Sequence, residues 1–172
     1  MPVAHGLVGA GLVAAVLPRA GRARYWVLLA AGAAVANAAD LDFFLVFVFR
    51  SRAWHRGFTH SLVFALAVLV CLLLALGRAR AREAVAFGLA YASHALLDFA
   101  TTRDSRGLEL LWPFSSDRLG LRWWGLSEMP SSLPAAEILK SLSLEFVFFA
   151  PPLLLLILLR RGAFRRAAAG VD

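Results

Sequence analysis

Apolar residues in this chain run in blocks, and short arginine clusters separate the blocks. Five blocks stand out: His5–Leu17, Tyr25–Phe49, Ser61–Gly77, Ala84–Ala100 and a last one ending at Leu159. A helix that crosses hydrocarbon needs about 20 residues, within a range of roughly 17–25. The second block is ample, and the third and fourth stand at the lower limit. The first is short, and its Gly6, Gly9 and Gly11 predict a close-packing face. The fifth contains FVFFAPPLLLLILL, starts as early as Ala135 and is expected to kink at Pro151–Pro152. The pattern predicts an all-α, integral-membrane bundle of four to five transmembrane helices with an interfacial tryptophan-rich segment. It forms a single membrane-embedded domain over 1–172. Four N-terminal spans occupy 1–100, an outer interfacial segment 101–134, and the last span with a basic cytoplasmic tail 135–172.

Composition narrows the class further. Of 172 residues, 60% are hydrophobic and 17% charged, against roughly 45–50% and about 25% in soluble domains. That excludes a soluble globule, and it is the reverse of the composition of disordered chains. Cys71 is alone inside LVCLLLAL, so no thiolate metal site or disulfide framework is available. MPVAHGLVGAGLVAAVL lacks the basic start of a signal peptide.

The net charge of +7 would suggest nucleic acid on a soluble protein. Here the arginines sit between apolar blocks, so they mark topology and no nucleic-acid partner is expected. With five spans and the N-terminus outside, PRAGRAR, GRARARE and RRGAFRR share one side. The positive-inside rule makes that side cytoplasmic.

All four histidines then map to the opposite end. His5 opens the first block, His55 and His60 lie between the second and third, and His94 lies late in the fourth. Asp40, Asp42 and Asp98 fall at the same depth. Acids at membrane depth are expensive and are functional by default. His94 and Asp98 are four apart and share a helical face. Asp40 and Asp42 are two apart, which on a regular helix points them away from each other, so a helix break is expected near them and Asn37. Gly57 is expected to let HRGFTHS bend back and bring His55 and His60 inward. Imidazole plus carboxylate without sulfur suits zinc first, then manganese or iron, and seven ligands suffice for one or two ions.

Plainer roles exist for each residue. His5 could face headgroups, and the three aspartates could pair structurally with Arg50, Arg52 or Arg56. Arg56 and Arg103 could bind phosphate or simply be solvated. Glu137, Ser141 and Glu145 share a helical face that either lines the site or meets solvent. Trp112, Trp123 and Trp124 suit the headgroup zone, as an ordinary loop or as a cover that admits a lipid sideways.

Taken in order, AHGLVGA, DLD, HRGFTHSL, SHALLDFATT and LELLWPFS resemble the YdjM-like family of inner-membrane, metal-dependent hydrolases. The similarity runs from His5 to about Ser116, and HRGFTHS and SHALLD are its most specific parts. The resemblance implies a metal centre at His5, Asp40, Asp42, His55, His60, His94 and Asp98. Family members often carry proline before the first aspartate where this chain has Ala39, which opens the question of backbone shape at Asp40.

The expected activity is hydrolysis by metal-activated water of a phosphoester on a lipid-type substrate at the outer membrane face. Asp40 or Asp42 would bridge ions or take the water proton, and Arg56 would hold phosphate. The expected partners are membrane lipid and a small or lipid-linked substrate. A transition-metal or proton-coupled transporter is the alternative, and a non-catalytic protein with a structural metal site is a third.

Overall fold

A computed structural model describes residues 1–18, 21–102, 107–121 and 135–169. Among these, six α-helices account for most of the chain. They are α1 (Pro2–Val16), α2 (Arg22–Asn37), α3 (Phe43–Phe49), α4 (Leu62–Leu76), α5 (Ala81–Thr101) and α6 (Ala135–Ala169). A 3-10 turn over Ala38–Asp42 joins α2 to α3, so Ala23–Phe49 forms one apolar element long enough to cross a membrane. Arg78–Thr101 and Ala135–Arg160 are the other two. The pair Arg52–His60 and Leu62–Leu76, bent by 56°, makes a fourth if taken as one span. At 15 residues, α1 reaches only about 22 Å, less than the roughly 30 Å of hydrocarbon. The described residues therefore give three helices long and apolar enough to cross, or four with the bent pair, and α1 is a shorter apolar helix beside them.

Local sequence explains where the elements stop. Pro2 opens α1, a position that needs no amide donor. Ser61 caps α4 by accepting the Phe64 N–H at 3.0 Å. Gly77, at φ +67°, ends α4 in a conformation that L side chains avoid. Pro151 and Pro152 lie inside α6, as expected from the sequence.

The expected glycine face is real for two of its three members. A Cβ on Gly9 would lie 2.5 Å from Ala36 Cβ and 2.6 Å from the Gly32 carbonyl oxygen. Gly6 likewise abuts Asn37 and Ala33 of α2. Gly11 instead faces Leu153 of α6 at an ordinary 3.8 Å. Without a hydrophobic force between helices in lipid, such close approach supplies the dispersion contact that holds α1 to α2. Gly88 plays the same part between α5 and Leu69 of α4.

The bundle has two chemically distinct ends. At one, Glu83 pairs with Arg24 at 2.6 Å and with Arg80 at 2.5 Å, and Arg160 donates to the Ala14 and Ala15 carbonyls. Next to this end lies an apolar cluster that includes Val13, Leu17, Tyr25, Leu28, Phe87 and Ile157. The opposite end gathers the start of α1, the α2–α3 junction, the loop before α4 and the end of α5. Outward faces carry large apolar side chains, among them Phe44, Phe47, Leu74, Leu139 and Val147. Such faces suit lipid and not water.

Candidate metal centre

The Ala38–Asp42 turn breaks the α-helical pattern where the two aspartates sit, as their spacing predicts. It forms without proline, with Ala39 buried against Ala65 and Tyr91. The loop that follows bends at two adjacent residues. Arg56 is left-handed, at φ +59°, and Gly57, at φ −83° and ψ −139°, lies outside the regular helical and extended regions. A left-handed arginine is strained unless its surroundings hold it. Here the Arg56 N–H donates to Asp42 Oδ2 at 2.8 Å, its carbonyl accepts from Glu109 N–H at 3.0 Å, and its Nε donates to Asp98 Oδ2 at 3.1 Å.

These turns bring all seven expected ligand residues to one end of the bundle. His5, His60 and His94 are fully buried, while the Asp40 and His55 side chains remain 30% and 21% exposed. Three groups of ligand atoms each fall within 4.8 Å of one another: His5–His94–Asp98, Asp40–His60–His94 and Asp40–Asp42–His55.

Hydrogen bonds fix which ring nitrogens face inward. A carbonyl oxygen only accepts, so the 2.7 Å contact of His94 Nδ1 with the Ala36 carbonyl puts the proton on Nδ1. Thr59 Oγ1 donates to Asp42 Oδ2 at 3.1 Å and therefore accepts from His60 Nδ1 at 3.0 Å. In the neutral rings both Nε2 atoms then present lone pairs, 3.1 Å apart. Two lone pairs facing each other at that distance repel unless a proton or a metal ion lies between them. Asp40 Oδ1 lies 3.4 Å from His94 Nε2 and 3.6 Å from His60 Nε2. Ligands about 2.0–2.1 Å from a tetrahedral zinc ion sit roughly 3.3 Å from one another. The triangle Asp40–His60–His94 thus has the edge lengths of one face of such a site, and the donor set fits a divalent transition metal.

Stoichiometry follows from the lone pairs. With Nδ1 engaged, His94 has a single free lone pair and serves one ion, so the two groups that contain it cannot both be filled. A carboxylate such as Asp40 can bridge. The three groups hold at most two ions.

Asp42 has a second employment. Its carboxylate accepts from Arg56 N–H and the Thr59 hydroxyl, and it faces His55 Nδ1 at 2.9 Å and His60 Nδ1 at 3.3 Å. That arrangement orients two imidazoles at once, which is how outer partners tune ligands. Among the described residues Arg56 supplies the ion pair to Asp98, whereas Arg50 and Arg52 are exposed.

Several supports escape the motif pattern. Tyr91, three residues before His94, donates to the Thr59 carbonyl at 2.9 Å. Arg118 donates to the His55 and Ala53 carbonyls and pairs with Glu109. The segment around Leu108 and Leu110 also bonds to Leu62 N–H, so 107–121 braces the histidine loop. Trp112 packs its ring on Phe58 within this brace. Arg103, Trp123 and Trp124 lie outside the described residues. Glu137 is exposed, and Glu145 is buried but belongs to none of the three ligand groups.

A protein-family model described as "YdjM inner membrane protein" matches residues 1–168. The inner membrane protein YbcI of Escherichia coli (strain K12) is 35% identical over 133 residues, covering 73% of this chain and 72% of that protein. No solved structure matches. An all-helical bundle with spans of membrane length, carrying its histidine motifs in the expected order, thus agrees with a match over nearly its whole length: the chain belongs to the YdjM family of inner membrane proteins.

Proposed function

We propose that this protein is a membrane-bound, metal-dependent hydrolase that cleaves a phosphoester of a lipid-type substrate, with its metal centre toward the extracytoplasmic face. The observation that carries the metal reading is the convergence of His60 Nε2, His94 Nε2 and Asp40 Oδ1 within 3.1–3.6 Å of one another. One zinc, manganese or iron ion would be held by His94 with either Asp40 and His60 or His5 and Asp98, and a second by Asp40, Asp42 and His55. When bound, such a metal supplies Lewis acidity and lowers the pKa of a bound water toward neutrality.

The chain's own residues account for the rest. Asp40, the most exposed of the carboxylates at the centre, is assigned to the metal and to the proton of the attacking water. Asp42 orients His55 and His60. Arg56 secures Asp98 and adds the positive charge that favours an anionic substrate. Asp40 and His55, the exposed members, adjoin exposed Leu41, Phe43 and Phe44, and the His55 ring lies 3.9 Å from that of Phe43. Partly exposed ligands flanked by exposed apolar side chains support approach from the bilayer. The arginine-rich opposite end supports the orientation through the positive-inside rule.

The transporter alternative needs a polar route to the arginine end. The apolar cluster around Val13, Leu28 and Phe87 occupies that path, which weighs against it.

Chelation tests the enzyme reading. Detergent-purified protein incubated with phosphatidic acid should release phosphate, lose that activity on treatment with a strong chelator, and regain it with zinc or manganese. His60→Ala protein should be inactive throughout. Release that is indifferent to chelation, or equal in the variant, would remove the proposal. Metal uptake into proteoliposomes would favour the carrier instead.

A further inference from the structure

Three of the four histidines are oriented at the ring. His94 is held by the Ala36 carbonyl, His60 by Thr59 and Asp42, and His55 by Asp42. His5 differs: among the described residues neither of its nitrogens has a hydrogen-bond partner, although Nε2 lies 3.1 Å from Asp98 Oδ1. Its ring stacks on His94 with centroids 3.8 Å apart, a contact without the direction of a hydrogen bond. The placement of His5 therefore depends on the backbone that carries it.

That backbone belongs to α1, which is too short for its own hydrophobic length to set its depth. The first amides of a helix have no partner within it, and in hydrocarbon they must find one. Glu145 of α6 supplies it. Its side chain is buried, and Oε2 accepts from Val3 N–H and Ala4 N–H, each at 3.0 Å. The carboxylate also complements the positive end of the helix dipole. At the other end of α1, Arg160 of the same helix donates to the last carbonyls. A carboxylate at the amino end and a guanidinium at the carboxyl end hold α1 parallel to α6 and fix its height.

We propose that Glu145 is a positioning residue for the metal centre. By fixing the first turn of α1, it sets His5 at the ligand position beside Asp98 and His94. This rests on the metal reading above, and it adds α6 to a site whose ligands all come from the first hundred residues.

The test uses cobalt(II) as probe on full-length protein in detergent. Wild type, His5→Ala, Glu145→Ala and Glu145→Gln are each titrated while the visible ligand-field spectrum is recorded. Glu145→Ala should bind cobalt about 10–100-fold more weakly, the range for losing an outer partner, and give the spectrum of His5→Ala. Glu145→Gln keeps an acceptor oxygen and should retain the wild-type spectrum. In metal-free protein, the Val3 and Ala4 amides should exchange with deuterium about tenfold faster in Glu145→Ala. A wild-type spectrum and affinity in Glu145→Ala overturns the proposal, as does failure of Glu145→Gln to rescue. Wild-type protein that takes up no cobalt overturns the metal reading itself, and the exchange experiment then decides the clamp separately.

Discussion

Replacing His94 with alanine is expected to cost more metal affinity than the loss of any outer partner of the centre. His94 is common to two of the three ligand groups, so its loss leaves only Asp40–Asp42–His55 complete. Losing an outer partner costs about 10–100-fold in affinity, and removal of a shared ligand should exceed that range. Zinc titration against a competing chelator measures the change. A His94→Ala protein with affinity within the outer-partner range would show that the ring is not a ligand.

The second large effect lies away from the ligands. Gly9→Ala places a methyl group 2.5 Å from Ala36 Cβ and 2.6 Å from the Gly32 carbonyl oxygen. Neither obstacle is a flexible side-chain end, so α1 and α2 must separate. Overpacking of this kind typically costs about 1–3 kcal/mol. The damage should also reach the metal, because the Ala36 carbonyl orients His94. Gly9→Ala should therefore unfold at lower temperature in detergent and bind zinc more weakly. Gly11→Ala is the control, since its methyl meets only Leu153 at 3.8 Å. Equal stability and affinity in the two variants would contradict the role given to the close approach.

Much of this was legible in sequence because the background is so apolar. Against hydrocarbon, three aspartates and four histidines are conspicuous, and reading span direction from the arginines put them at one depth. Helical spacing joined His94 to Asp98, and the two-residue interval of Asp40 and Asp42 pointed to the 3-10 turn. Backbone detail was less accessible. Gly57 was the natural place for a reversal, yet Arg56 takes the left-handed conformation because three hydrogen bonds from separate elements hold it. Arg56 itself divided two plausible roles, phosphate binder or ion-pair partner, and only the fold brings Asp98 within 3.1 Å of it. Glu145 was equally ambiguous, since its helical face gave no sign that α1 would begin against it. Span counting agrees at four when the bent pair is taken as one span, whereas for the short α1 apolar residues alone could not tell a crossing from a shorter helix held at both ends by a neighbour.

The central claim is that these side chains form a metal site. Elemental analysis of protein purified anaerobically in detergent, beside a His60→Ala, Asp98→Ala double variant, tests it most directly. The wild type should carry one to about two equivalents of a transition metal, the capacity of the donor set, and the double variant should lose them. Wild-type protein without bound metal, or equal content in both, would mean that the buried histidines and aspartates are polar packing and not a metal centre.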